Sequence, residues 1–293
     1  MKTSIVAIAN QKGGVGKTAT AVNLAVSYAR LGKKTLLIDF DYQGNATANF
    51  GLKLKAKDSR RMASEALKKD LPLSKVVLHT EDKKLDIVAG DMGLSKLSRE
   101  KILDPGAAMF LRNWLDSEEA KTYEIILIDT HPNLDLLFQM AMTASHYYLV
   151  PMFAEADPFD GLQYMFEEIS QIKSGLNKQL FFLGLVITKF DKTNSTHRKF
   201  FELLTEFGEE NKIRIRGVIP DSKAVAGSSS AQKPLLWHME HLPITKAYLE
   251  VAKALLPDLK GARMGRQQTT PRISGTPIEI AKLFGDVQNA EVF

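Results

Sequence analysis

Ala9-Asn10-Gln11-Lys12-Gly13-Gly14-Val15-Gly16-Lys17-Thr18 is the stretch on which the fold turns. An apolar run over residues 4–9 leads into it, and a helical pattern over 17–31 leaves it. A phosphate-binding loop requires that strand–loop–helix context. Gly13, Gly14 and Gly16 let the backbone curl until successive N–H groups face a phosphate at the positive end of the helix. There Lys17 reaches the β- and γ-phosphates of a nucleotide and the Thr18 hydroxyl faces Mg²⁺. Val15 and Ala19 complete the predicted cofactor-binding stretch. The glycines do not fall in G-x-G-x-x-G spacing, which argues against a dinucleotide fingerprint. Gln11 stands where the standard loop has its first glycine.

Outward from this loop, residues 35–38, 125–128, 148–150 and 181–188 are near-continuous apolar runs rich in β-branched residues. Strands covered on both faces read that way. Helical patterns over 104–119, 134–143, 159–173 and 195–207 lie between them. The alternation predicts right-handed βαβ units. The expected fold is α/β: a single-domain P-loop NTPase fold over residues 1–257, a mostly parallel twisted sheet with helices on both faces. Gly227-Ser228-Ser229-Ser230 is expected as a surface loop. Residues 258–293 read as a basic linker and C-terminal tail. Lys260, Arg263, Arg266 and Arg272 come first, then a short amphipathic pattern of Ile278, Ile280, Leu283 and Phe284.

Among 293 residues there is no cysteine, so disulfides, thiolate zinc sites and cysteine-ligated iron–sulfur clusters are excluded. No apolar run approaches the length of a spanning helix, and the N-terminus lacks a secretory cleavage pattern, so a cytoplasmic location is expected. The net charge of +5 favours acidic partners such as nucleic acid or anionic lipid.

Two further apolar strands end in acids. Asp39 and Asp41 follow Leu36-Leu37-Ile38, where ligands sit in open α/β sheets. Being two apart, they share one side of an extended segment, so one can bind a Mg²⁺-ligated water while the other orients the attacking water. Asp129, after Ile125-Ile126-Leu127-Ile128, reads as the Walker B acid that holds Mg²⁺, usually through water. The predicted metal residues are thus Thr18, Asp39 and Asp129.

Lys12-Gly13-Gly14-Val15-Gly16-Lys17-Thr18 resembles the deviant Walker A loop of the ParA/MinD ATPases. That resemblance implies a homodimer sandwiching ATP, in which Lys12 reaches the partner's phosphates, and it makes Lys12, Lys17 and Asp41 the catalytic set. The run from Asp39 to Thr47 is similar to the family's D-x-D-P-Q-G-N-A-T, which assigns Asp41 to the attacking water and Asp39 to the metal side or a switch. Tyr42 replaces the proline of that pattern, and His131 replaces the first proline of the family's D-T-P-P. The spacing of Pro151, Glu155, Gly161 and Leu162 follows the family too. Lys189, in Thr188-Lys189-Phe190-Asp191, corresponds to the segment beside the adenine, and Pro220 and Ser222 to the loop that cradles it.

By the same resemblance the dimer binds double-stranded DNA nonspecifically, and Lys192, Arg198, Arg214, Arg216 and Lys223 are the candidate contacts. Ala224 occupies the family's basic position after I-P-x-N-V. The implied activity is weak ATP hydrolysis with Mg²⁺, stimulated by DNA and a ParB-like partner, which partitions or positions a plasmid or chromosome on the nucleoid. The first strand begins almost at residue 1, so the N-terminal DNA-binding extension of larger plasmid ParA proteins is expected to be missing. A MinD-like membrane cycle and a metabolic ATP-dependent enzyme are the alternatives. Glu279, Asp286 and Glu291 against Lys282 in the last segment argue against lipid binding, so no membrane partner is expected.

Overall fold

The computed structural model describes residues 3–52, 61–154 and 160–259. Among them, the strands β1 (Ser4–Ile8), β2 (Thr35–Phe40), β3 (Leu78–His79), β4 (Leu85–Val88), β5 (Ile125–Thr130), β6 (Tyr147–Phe153), β7 (Phe181–Phe190) and β8 (Ile215–Pro220) form one sheet. Its order is β3-β4-β2-β5-β1-β6-β7-β8, and every pairing is parallel except β3 with β4. The phosphate loop therefore leaves a central strand, flanked by the strand that carries Asp129.

Side chains alternate across that strand and build two cores. Ile5 and Ala7 face one side with Leu36, Ile38, Ile126 and Ile128, whereas Val6 and Ile8 face the other with Leu37 and Leu127. The second face is covered by α1 (Lys17–Arg30), by α2 (Asn45–Ala48) through Ala46, and by two C-terminal helices described below. The first is covered by α3 (Ala63–Lys69), α4 (Leu73–Val76), α5 (Gly93–Lys101), α6 (Phe110–Leu115), α7 (Leu136–Ala144), α8 (Asp160–Gly175) and α9 (Ser195–Glu210). Helices on both faces of a parallel sheet explain why the strands carry almost no exposed polar positions.

Three expectations change. The helix over 104–119 shrinks to α6, because Asp104 accepts from the Gly106 amide at 3.0 Å and turns the chain before a helix starts. Gly227-Ser228-Ser229-Ser230 is helical, within α10 (Ala224–Ala231); Ser228 is buried and its hydroxyl donates to the Lys233 carbonyl. After α11 (Leu235–His238), α12 (Pro243–Leu259) runs past the expected boundary, and Asp258 packs into the domain as an ion-pair partner of Arg216. Glu155, the remaining basic linker and the amphipathic pattern at 278–284 lie outside the described residues.

Candidate functional site

Gly14 and Gly16 adopt left-handed backbone, φ 73° and 81°, so the curled loop is accessible to glycine at little cost. Gly16 is also the N-cap of α1, where no side chain caps the first amides. Those amides and the exposed Gly13 and Gly14 backbone are left for an anion. The loop is braced from outside. Asn10 accepts the Lys12 amide at 2.9 Å while its own amide donates to the Pro151 carbonyl at 2.7 Å. Pro151 sits beyond the last residue of β6 that pairs with β1, so its missing N–H breaks no rung of that ladder. From β7, the Thr188 hydroxyl donates to the Val15 carbonyl at 2.9 Å.

Lys17 is buried at 7% exposure, and its ammonium donates to the Lys12 carbonyl at 3.0 Å. Burial lowers its pKa, against the charges of Asp129 and Asp41. Thr18 and Ala19 follow in the first turn of α1, and Lys12 is exposed at the loop. Asp41 lies just beyond β2; one carboxylate oxygen accepts the Gln43 amide at 2.9 Å.

Asp129 is fully buried, and neither of its carboxylate oxygens has a hydrogen-bond partner among the described residues. Burial and the neighbouring Asp39 and Asp41 charges push its pKa well up, while the nearby Thr18 hydroxyl and Lys17 pull the other way. The Thr18 hydroxyl stands close to Asp129 without the geometry of a full bond. Two orphaned buried oxygens beside a hydroxyl fit a hydrated divalent cation, since buried polar groups otherwise find a partner.

Asp39, the other acid expected on the metal side, is held within the protein. Its Oδ2 accepts both the amide and the hydroxyl of Thr47, each at 2.7 Å, and Oδ1 lies 3.4 Å from the Asp41 amide. Burial raises its pKa against those bonds. The carboxylate thus pins α2 to the end of β2.

Lys189, the second-last residue of β7, is in left-handed backbone, φ 51°, with its ammonium 5.2 Å from the Phe153 ring centre. Pro220 ends β8 opposite Phe190, and the Ser222 hydroxyl accepts the Ala224 amide at 3.2 Å. All three lie at the same end of the sheet as the phosphate loop, which Thr188 ties to β7.

The five candidate DNA contacts do not form one group. Lys192 and Arg198 are exposed and joined, the guanidinium donating to the Lys192 carbonyl at 3.0 Å. Lys223 is exposed at the start of α10, so these three share the nucleotide end of the sheet. Arg214 is exposed at the other end of β8. Arg216 is no surface cation: it pairs with Asp258 at 2.5 Å, both side chains being at most 10% exposed, and donates to the Leu183 carbonyl. Its guanidinium is thus held against α12 and β7 rather than turned to solvent.

Gly90 and Thr47 escaped the sequence reading. A Cβ on Gly90 would stand 2.6 Å from the Asp41 carbonyl and 2.8 Å from that of Asp39, so only glycine lets β4 pass the site. Thr47 bridges both neighbours, its hydroxyl also accepting the Gly90 amide at 3.2 Å. The glycine closing the apolar run Ile87-Val88-Ala89 was the available signal.

Residues 3–182 match the family described as AAA domain, which is more than half of the chain. The chromosome partitioning protein ParA of Caulobacter vibrioides is 33% identical over 255 residues, covering 86% of this chain and 93% of that protein. A plasmid partition protein of Borrelia burgdorferi, solved bound to AMPPNP, superposes with a TM-score of 0.74 at 28% identity over 88% of this chain and all of that one. The cobyrinic acid a,c-diamide synthase of Mycobacterium smegmatis, solved with ADP and magnesium, gives a TM-score of 0.75 over 92% of this chain and 98% of its own, and at 24% identity shares the fold alone. With that family model over more than half of the chain and a 33% identical relative across most of both proteins, the chain belongs to the ParA family of partition ATPases.

Proposed function

We propose that this chain is an ATP-driven partition switch that binds ATP with Mg²⁺, closes as a homodimer around the nucleotide and grips duplex DNA without sequence preference. A ParB-like partner would accelerate hydrolysis and release it. The observation that carries the reading is the buried Lys17 ammonium, held by the Lys12 carbonyl beside the carboxylates of Asp41 and Asp129. A cation kept in place by a backbone carbonyl is ready to transfer to a phosphate oxygen as the nucleotide enters.

In this reading the loop amides of residues 13–18 hold the phosphates, and Lys17 neutralises charge on the transferred group. Lys12, exposed at the loop, reaches the partner subunit's nucleotide. Asp41 accepts a hydrogen bond from the attacking water and aligns it. Asp129 and Thr18 would hold Mg²⁺, which when bound neutralises the β- and γ-oxygens. Lys189, Pro220 and Ser222 line the base end. Lys192, Arg198 and Lys223 face DNA phosphates, with Arg214 outside the main contact. In this reading the ATPase domain takes in α12, which runs through Leu259.

The test is duplex-DNA binding with ATP, ADP or no nucleotide at rising salt. Tight binding only with ATP, indifferent to sequence and falling steeply with salt, is expected. Absence of DNA binding in every state, with ATP-dependent sedimentation on anionic liposomes, would replace this reading with the membrane cycle.

A further inference from the structure

Tyr42 and His131, the two residues that depart from the loop patterns flanking this site, lie against each other. Phe40 and Thr130 are the last paired residues of β2 and β5, so Asp41 and His131 come next beyond the ladder. The rings of Tyr42 and His131 stand 5.3 Å apart between centres at 78°, an edge-to-face pair. The His131 side chain is fully buried, with Nε2 3.0 Å from Asp135 Oδ2. Asp135 is the N-cap of α7, its other oxygen accepting the Leu137 amide at 2.9 Å. A carboxylate only accepts, so Nε2 carries the hydrogen and the ring is fixed to the helix start.

His131 is a costly residue for plain packing. Its Nδ1 is buried without a hydrogen-bond partner among the described residues, a penalty an apolar side chain would avoid. On the other side, Tyr42 is the residue between Asp41 and Gln43, whose amide holds the Asp41 carboxylate. A continuous set of contacts therefore runs from α7 through Asp135, His131 and Tyr42 to the Asp41 turn.

We infer that Tyr42 and His131 are positioning residues: a ring clasp, anchored on Asp135, that holds the Asp41 turn in register with the loop after β5 for ATP hydrolysis. Neither touches the reacting atoms. The clasp rests on the ATPase reading above, because its effect is expressed through Asp41.

The experiment compares wild type with Tyr42→Ala, Tyr42→Phe, His131→Ala and the Tyr42→Ala/His131→Ala double variant. For each, kcat and KM for ATP, equilibrium binding of a non-hydrolysable ATP analogue, and the nucleotide-free thermal midpoint are measured. Tyr42→Ala is expected to lower kcat by roughly 10- to 100-fold, the scale of a misplaced reacting group, with KM and analogue binding preserved. Tyr42→Phe, which keeps the ring, restores most of that rate. The double variant loses no more than the worse single one, because both remove the same contact.

A wild-type kcat in Tyr42→Ala, a loss confined to analogue binding, or multiplying losses in the double variant would overturn the clasp. Tyr42 is only half-buried, so its two variants carry the test even where His131→Ala fails to fold. If wild type hydrolyses no ATP, the ATPase reading fails by itself. The clasp is then judged on thermal midpoints: non-additive losses support the contact and additive losses refute it.

Discussion

The ammonium of Lys17 and the carbonyl of Lys12 are hydrogen-bonded at 3.0 Å, so the two lysines of the loop are tied together although one is buried and the other exposed. Lys17→Ala removes the buried cation that a phosphate would meet. ATP binding should weaken by about 2–5 kcal/mol, the range for losing one partner of a buried charge pair. Lys12→Ala leaves the loop backbone in place, so each subunit still binds ATP while the ATP-dependent dimer fails to form. Light scattering with a slowly hydrolysed analogue checks this, and wild-type dimerisation in that variant would remove Lys12 from the partner's site.

Asp129 carries an ionisation penalty that Thr18 and Lys17 offset only in part. Its pKa in the fold is raised by burial and by Asp39 and Asp41, so stability is lost as pH rises above the unfolded value of about 3.9. At neutral pH, Asp129→Asn should therefore raise the nucleotide-free melting temperature. The same variant should lose the stabilisation that MgATP gives wild type, and chelation with EDTA should mimic that loss. A lower melting temperature in the nucleotide-free variant would contradict the penalty.

Asp41→Ala should bind ATP and still fail to hydrolyse it, with kcat down by roughly 10²- to 10⁴-fold, as for a positioned base. Single-turnover phosphate release measures this directly. Normal turnover would assign the water to another group.

Arg216 and Asp258 close the base of the domain. Arg216→Ala strands a buried carboxylate and should cost about 3–5 kcal/mol in urea unfolding. Arg216→Met with Asp258→Leu should recover most of it, because a packed apolar pair avoids the desolvation penalty. In that double variant DNA affinity should match wild type, whereas Lys192→Ala, Arg198→Ala and Lys223→Ala should each reduce the slope of log affinity against log salt by about 1.

Glu124 bonds the Lys33 ammonium at 2.8 Å and accepts the Lys34 amide at 3.1 Å, locking the turn after α1 to the start of β5. The Lys33 bond leads the effects that hold its carboxyl below the ordinary range. Its stabilisation is present above the unfolded pKa of about 4.3 and is lost as pH falls through the folded value. Denaturation between roughly pH 3 and 6 should thus show a steeper acid loss in wild type than in Glu124→Gln, by no more than about 1 kcal/mol for this partly exposed pair.

Much of this architecture was legible in the chain. The core strands are continuous apolar runs because they are covered twice, and the phosphate loop is contiguous, so spacing alone placed Gly13 to Gly16 between β1 and α1, with Lys17 and Thr18 opening the helix. β4 was less readable: it is four residues long and carries Asp86, which is satisfied by Tyr123 and His79 from other parts of the chain. The helix over Gly227 to Ser230 ran against local preference. Ser228 is buried there with a carbonyl partner, and propensity yields to such contacts.

By itself, then, the sequence determined the alternating strands and helices, the phosphate loop and the acids at the ends of β2 and β5. Each is written in neighbouring residues whose backbone geometry and chemistry act locally. Only the tertiary structure decided that Asp39 is held by Thr47 while Asp129 is left with unpartnered oxygens, that Arg216 is paired with Asp258, and that Tyr42 meets His131. Those outcomes depend on which distant groups share a low-dielectric interior. There a charge or polar atom must find a partner or bear its desolvation, and the partner is chosen by packing rather than by sequence order.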